Sequence, residues 1–306
     1  MSDPTAFVLT VSFVAALGVF ALGMVARLIL MGGQVTDVAE PAAADPADSP
    51  YVSPVSEAIQ VSLPPGKIPG DFYGRIDLLG ISLIYFIFFG LIMASVHASE
   101  KTELVIDPGA IITSIGFQFM LAGIATVMVY RRIHPVDWLG LRWSRWPWVF
   151  IIAPCTVFGM WLVFGALQFG GYMRWVESFG VESVQDTVKL LQTSNDPLLL
   201  GLMAFAAVIA APLCEEIVFR GYLYPAAKKF AGPWVAAFFT ALVFASAHAS
   251  LVALLPLFIF GLVLVFAYEK TGSLWVPIAI HLCFNGATVA IQLTARVFHL
   301  PLDPSL

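Results

Sequence analysis

An apolar run that begins near Leu198 ends in Cys214-Glu215-Glu216-Ile217-Val218-Phe219-Arg220. Two adjacent carboxylates and a guanidinium therefore stand at the edge of a segment long enough to cross a bilayer. A charged side chain near the hydrocarbon centre costs roughly 2.5–3.5 kcal/mol on insertion scales, and such charges mark functional sites. The stretch predicts a transmembrane helix that carries part of a polar site.

The composition agrees with a membrane protein. Of the 306 residues, 59% are hydrophobic and only 11% are charged, against about 25% in soluble domains. Runs this long satisfy their backbone groups in lipid as helices. The predicted fold class is an all-α, polytopic transmembrane helix bundle of about eight helices, with the active site within the membrane. The net charge is −5 and the basic residues are scattered, so no nucleic-acid partner is predicted.

Eight apolar runs are candidate spans, and their boundaries are read from hydropathy. The sixth and seventh are nearly continuous, and Pro256 interrupts the seventh, so these two are open to a broken or re-entrant arrangement. The spans are 6–31, 77–97, 110–130, 147–170, 197–222, 233–250, 251–268 and 273–295.

The chain divides into five regions on this basis. The first span lacks the basic start of a signal peptide and is too long for one, so it is interpreted as a retained anchor. The next region is rich in Pro, Ala and Asp, and such segments cannot bury enough apolar surface to order themselves. The regions are an anchor (1–31), a flexible loop (32–76), accessory helices (77–194), a core (195–296) and a C-terminal tail (297–306).

The distribution of basic residues predicts the orientation. Alternation over eight spans places eleven Lys and Arg residues on one side and four on the other. Both termini then lie outside, and the loop after the Glu-Glu stretch lies in the cytoplasm. Residues 134–148 carry four of the eight tryptophans, which predicts anchoring at the headgroups. Residues 174–192 predict an interfacial helix.

The polar residues of the core fall into three groups with helical spacing. Glu216 and Arg220 are four residues apart with the acid first, which favours an ion pair and leaves Glu215 as a candidate general base. The alternative is that both acids simply end a helix at the interface. The other groups are Phe244 with His248 and His281 with Asn285.

His281 and Asn285 share one helix face, where an amide and a ring N–H are able to stabilise an oxyanion. Taken singly, each polar residue is also explained by packing or by hydrogen bonds between helices. Together, Glu215, His248, His281 and Asn285 predict a water-activating site. The sequence contains neither G-x-S-x-G nor H-E-x-x-H, and Cys283 faces away from His281. The three cysteines lie in apolar segments and predict no disulfide.

The series Glu215-Glu216-x-x-x-Arg220, Phe244-x-x-x-His248 and His281-x-x-x-Asn285 resembles the motifs of the CPBP family over residues 195–296. That family comprises type II CAAX prenyl proteases and bacteriocin-processing or immunity-related membrane proteins. Residues 137–142 also resemble a segment that often precedes the family's core.

The resemblance implies an intramembrane, CAAX protease-like hydrolase in which Glu215 and His248 polarise a water. His281 and Asn285 would stabilise the oxyanion, with Glu216, Arg220 and Phe244 in support. Zinc held by Glu215, His248 and His281 is one option, and a metal-free glutamate mechanism without a cofactor is favoured.

The expected partners are the lipid bilayer and a membrane-associated protein or peptide, prenylated or otherwise hydrophobic. The expected location is the inner (plasma) membrane, with the site open to the cytoplasm. The alternative is a non-catalytic transporter or a bacteriocin-immunity-type binding protein that uses the same polar residues. No repeat of two similar halves, typical of carriers, is evident in the sequence.

Overall fold

The computed structural model describes residues 4–30, 68, 70, 72–99, 107–141, 143–180, 190–192 and 194–298. Most of the predicted loop at 32–76 and of the tail at 297–306 lies outside these residues. Much of the predicted interfacial helix at 174–192 also lies outside them, and so do Lys101 and Arg142.

The described residues form helices and their connections. We number the helices in chain order and treat residues 197–231 as one helix with local irregularities. The helices are α1 (Pro4–Leu30), α2 (Ile76–Ser99), α3 (Pro108–Val129), α4 (Pro135–Trp138), α5 (Val149–Phe169), α6 (Tyr172–Glu177), α7 (Pro197–Ala231), α8 (Pro233–Ser246), α9 (Leu251–Thr271) and α10 (Trp275–Val297).

Seven of these helices are long and apolar enough to cross a membrane, which confirms a multi-pass helical membrane protein. They are α1, α2, α3, α5, α7, α9 and α10. The sixth predicted span is α8, which has only 14 residues. At 1.5 Å per residue it is about 21 Å long, short of the ~30 Å hydrocarbon core. The prediction of a full span at 233–250 therefore fails on length.

Most of helix α8 is buried by its neighbours. Nine of its 14 residues are buried. The Phe239 ring stacks on Phe20 of α1 with centroids 4.7 Å apart. On its other side α9 approaches closely, since a Cβ on Gly261 would lie 3.0 Å from the Ala241 Cβ. Packing from neighbouring helices thus covers α8 and holds its C-terminal end inside the bundle.

Helix α7 contains two π-helical segments, at Ala206–Ala210 and Ile217–Leu223. Each precedes a proline by two residues, Pro212 and Pro225. A proline inside a helix lacks the N–H and crowds the carbonyl four residues earlier. Local widening to i→i+5 bonding relieves that clash, and such segments are frequent at functional sites. The Glu215–Glu216 pair lies between the two segments.

The second π-helical segment is held by side chains from outside α7. Pro225 has no N–H for the Gly221 carbonyl, which instead accepts hydrogen bonds from Trp138 Nε1 at 2.8 Å and Tyr73 Oη at 3.1 Å. Trp138 is 1% exposed, so its predicted role as a headgroup anchor is wrong. Trp146 and Trp148 are exposed, as an anchoring role requires.

A second buried group, not anticipated from the sequence, joins α2, α3 and α7. Asp77 is fully buried and accepts hydrogen bonds from Arg132 Nη1 at 2.7 Å, Arg132 Nη2 at 2.8 Å and Tyr222 Oη at 3.0 Å. The hydrogen bond to Asp77 raises the pKa of Arg132 above its ordinary value. Paired in this way, the buried carboxylate avoids the cost of an isolated charge.

Candidate active site

Glu215 lies between two histidines from other elements. Its Oε2 atom is 4.0 Å from His248 Nε2 and 4.0 Å from His281 Nε2. Both separations are too long for direct hydrogen bonds. Each separation suits one bridging water that hydrogen-bonds to both the carboxylate and the ring nitrogen. The structure thus brings together three of the four predicted catalytic residues.

Chain geometry explains why Glu215 and His248 meet. Glu215 lies 16 residues before the end of α7 at Ala231, and His248 lies 15 residues after the start of α8 at Pro233. A single residue, Gly232, with φ 86°, connects the two helices. Two helices that fold back at a tight turn place residues at equal distances from the turn side by side. The predicted spans place Glu215 near the cytoplasmic side and His248 near the far end of its own span.

The His248 ring is held by its own helix. Its Nδ1 lies 2.8 Å from the Phe244 carbonyl oxygen. A carbonyl only accepts, so Nδ1 carries the proton and donates it. Nε2, which faces Glu215, is then free to accept a hydrogen from water in the neutral ring. The i,i+4 spacing of Phe244 and His248 thus allows a hydrogen bond from the His248 ring to the backbone carbonyl of Phe244.

The His281 ring is held by Glu216. Nδ1 of His281 lies 2.8 Å from Glu216 Oε1, and the same oxygen accepts from Arg220 Nη1 at 2.8 Å. Glu216 is 0% exposed and Arg220 is 1% exposed. The predicted Glu216–Arg220 ion pair is thus confirmed, and it extends to His281. A carboxylate on one ring nitrogen sets the tautomer and the direction of the other.

Arg220 is compensated by three groups rather than one. Besides Glu216, its Nη2 donates to the Gly261 carbonyl at 3.2 Å. Its guanidinium carbon lies 4.5 Å from the centroid of the Phe244 ring, within the range of a cation–π contact. Phe244 therefore contacts both the ion pair and His248, as its supporting assignment implies.

Asn285 makes a different contact from the one predicted. Its Nδ2 donates to the Ala207 carbonyl at 2.8 Å. That carbonyl has lost both helical donors, because the Ala211 N–H bonds to Ala206 and Pro212 has no N–H. Asn285 thus stabilises the first π-helical segment. Its role as an oxyanion donor stays a prediction, since an amide nitrogen has a second N–H.

A cavity of about 170 Å³ opens beside Glu215 between α2, α3 and α7. Its walls are mostly apolar, and the polar groups among its lining are Glu215, Gln118 and Ser114. The other lining residues are Phe88, Leu91, Phe117, Leu121, Cys214, Val218, Phe219 and Ala247. Gln118 was not anticipated, because a single glutamine in an apolar run has no distinctive spacing.

The three candidate zinc ligands do not fit zinc in this arrangement. Ligand atoms at ~2.1 Å from a tetrahedral zinc lie roughly 3.4 Å apart, whereas both Glu215–histidine separations are 4.0 Å. Among the described residues, no group of three His, Cys, Asp or Glu side chains is placed to hold a metal ion.

The part of the chain that matches a known protein family contains the candidate site. Residues 197–287 match the model of the family described as "Type II CAAX prenyl endopeptidase Rce1-like". This interval contains the Glu215–Glu216 pair, His248, His281 and Asn285. The family match and the side-chain geometry therefore point to the same helices, α7 to α10.

Two curated proteins are similar over different extents. The "Putative membrane peptidase YdiL" of Bacillus subtilis (strain 168) is 34% identical over 92 residues, which cover 30% of this chain and 38% of that protein. The "Uncharacterized 24.3 kDa protein" of Escherichia coli is 26% identical over 213 residues, 65% of this chain and 92% of that protein. The chain thus spans well under half of the Bacillus protein's length. No solved structure matches significantly.

Proposed function

Since residues 197–287 match the model of the Rce1-like family of type II CAAX prenyl endopeptidases, we propose that this multi-pass membrane protein is an intramembrane endopeptidase. The observation that carries the proposal is the position of Glu215 Oε2, 4.0 Å from the Nε2 atoms of both His248 and His281. In this reading Glu215, His248, His281 and Asn285 are the catalytic residues. Glu216, Arg220 and Phe244 position them.

The proposed first step is attack by water on a peptide carbonyl carbon. The water donates one hydrogen bond to Glu215 and one to His248 Nε2, which aligns its lone pair with the substrate. Glu215 takes the proton as the C–O bond forms, which is general-base catalysis. The carbonyl oxygen becomes an oxyanion. Collapse of that intermediate breaks the C–N bond, and Glu215 returns the proton to the leaving amine.

The oxyanion is stabilised by His281 and Asn285 in this scheme. Protonated at Nε2, the His281 ring donates to the oxyanion, and Glu216 at Nδ1 stabilises the positive charge on the ring. The second N–H of the Asn285 amide supplies another donor. Loss of one such donor costs about 10²–10³ in rate in a well-studied protease, so both roles are measurable.

The substrate is proposed to be a hydrophobic or prenylated membrane-associated protein or peptide. The apolar cavity walls beside Glu215 favour such a chain over a soluble one. We place the protein in the plasma membrane, and the basic residues that precede α8 favour a cavity open toward the cytoplasm. No metal ion takes part in the proposed mechanism.

The test uses the purified full chain in detergent micelles with a quenched-fluorescence library of hydrophobic membrane peptides. Cleavage by the wild type and loss of at least 100-fold in Glu215→Gln and His248→Ala are expected. Glu177→Gln is the matched control, because Glu177 lies on α6 with an exposed side chain. Cleavage that persists in both site variants would contradict the catalytic assignment. Peptide binding by the wild type without cleavage would favour the binding-protein alternative.

A further inference from the structure

The cavity between α2, α3 and α7 contains a second polar group that the proposed mechanism does not use. Gln118 lines the cavity together with Glu215. Its Oε1 atom is buried and, among the described residues, receives no hydrogen bond from the protein. A buried acceptor without a donor is destabilising. Such a group is retained where something other than the folded chain supplies the donor.

The surroundings of Gln118 restrict what that donor is. Four apolar side chains form the walls around it, from α2 (Phe88, Leu91) and α3 (Phe117, Leu121). A cavity of about 150 Å³ with such walls holds a benzene-sized group. The volume of about 170 Å³ found here therefore accepts one large apolar side chain. A backbone N–H is the hydrogen-bond donor that accompanies any such side chain in a peptide.

We propose that Gln118 positions the substrate by accepting a hydrogen bond from a backbone N–H near the scissile bond, while the cavity takes the adjacent large apolar side chain. The inference rests on the proposed peptidase function and adds a recognition element to it. The hydrogen bond holds the extended peptide beside Glu215 and adds to its affinity.

The test combines a variant with a chemically altered substrate. The substrate is the most rapidly cleaved peptide of the library, made as a series with one backbone N-methyl group at each position in turn. In Gln118→Leu, KM for the unmodified peptide is expected to rise about tenfold with kcat within about twofold. Thr113→Val is the matched control on the same helix, because among the described residues the Thr113 hydroxyl bonds the Gly109 carbonyl of its own helix. It should leave both constants unchanged.

The N-methyl series identifies the hydrogen bond itself. One N-methyl position near the scissile bond should raise KM about tenfold in the wild type and leave it unchanged in Gln118→Leu, since the two changes remove the same bond. Equal N-methyl penalties in both proteins at every position would overturn the proposal. So would an unchanged KM in Gln118→Leu.

A second variant tests the apolar subsite. Ser114→Leu fills part of the cavity with a larger side chain from an exposed position on α3, where the risk to folding is small. The variant should prefer small over large residues at the peptide position adjacent to the N–H that the N-methyl series identifies. An unshifted preference would assign the side chain to another subsite and contradict the proposal.

A binding measurement separates this inference from the proposed function. The labelled unmodified peptide is titrated into Glu215→Gln and into Glu215→Gln/Gln118→Leu, with fluorescence anisotropy as the readout. A dissociation constant about tenfold weaker in the double variant supports the Gln118 contact even if the wild type proves unable to cleave. Equal affinities in the two variants would refute the contact even if cleavage is confirmed.

Discussion

Glu216 and His281 are joined by a hydrogen bond of 2.8 Å between Oε1 and Nδ1. The bond links α7 to α10 and turns Nε2 of His281 toward Glu215. The two neighbouring glutamates thus have separate roles, because they point about 100° apart on the helix. Glu215 faces the cavity, whereas Glu216 holds the ring that faces it.

We expect Glu216→Gln to lower kcat by about 10–100-fold with little change in KM, since it removes the charge beside the His281 ring. It also leaves Arg220 buried without its carboxylate, which costs about 3–5 kcal/mol of stability. Steady-state kinetics and thermal unfolding in detergent measure the two effects.

The double variant Glu216→Gln/Arg220→Met separates charge balance from ring positioning. It removes both buried charges, so stability should recover while kcat stays low. Recovery of kcat as well would mean that Glu216 serves only to neutralise Arg220.

Asn285→Ala is expected to lose both stability and rate. The Ala207 carbonyl loses its donor, at a cost of about 1–3 kcal/mol, and the proposed oxyanion donor disappears, with a kcat loss of about 10²–10³. Pro212→Ala in the same background returns an N–H to the helix and should restore stability alone. A kcat restored together with stability would assign Asn285 to packing only.

Trp138→Phe should destabilise the protein by about 1–3 kcal/mol, because the indole N–H no longer reaches the Gly221 carbonyl. Trp146→Phe is the control, since Trp146 is 58% exposed, and it should leave the unfolding temperature unchanged. Equal effects of the two substitutions in thermal unfolding would show that Trp138 does not hold α7 through this bond.

Gly140→Ala is expected to be strongly destabilising. Gly140 has φ 61°, and a Cβ there would lie 2.0 Å from the Gly272 carbonyl oxygen. The loop before α5 would then separate from the turn between α9 and α10, where Leu274 N–H bonds the Leu139 carbonyl at 2.9 Å. A Cβ on Gly159 in α5 would lie within 4 Å of no atom of the described residues, so Gly159→Ala should be neutral or slightly stabilising. Comparable expression and unfolding of the two variants would contradict this contact.

Removal of divalent metals should leave cleavage unchanged, because the 4.0 Å separations at Glu215 are wider than a tetrahedral zinc requires. The wild type is dialysed against a chelator and assayed on the library peptide, with and without added zinc. Loss of activity on chelation and its return with zinc would replace the metal-free mechanism with a zinc one.

Hydropathy and short-range spacing determined much of the architecture. Apolar runs have to form helices in lipid, so the helical class and most spans could be predicted from the sequence. The Glu216–Arg220 pair could be predicted for the same reason, since residues four apart on a helix are neighbours whatever surrounds them. These are local properties of the chain.

Contacts between distant segments were decided only by tertiary packing. Nothing in the spacing of Asp77, Gln118 or Trp138 indicates that these side chains lie beside α7, which is far from them in sequence. The contacts that bury most of α8 come from α1 and α9. In the Cys214–Arg220 stretch, the sequence determined which charges pair along one helix. The tertiary structure decided that Glu216 also holds His281 and that Glu215 faces both histidines, because these distances join helices that meet only in the folded bundle.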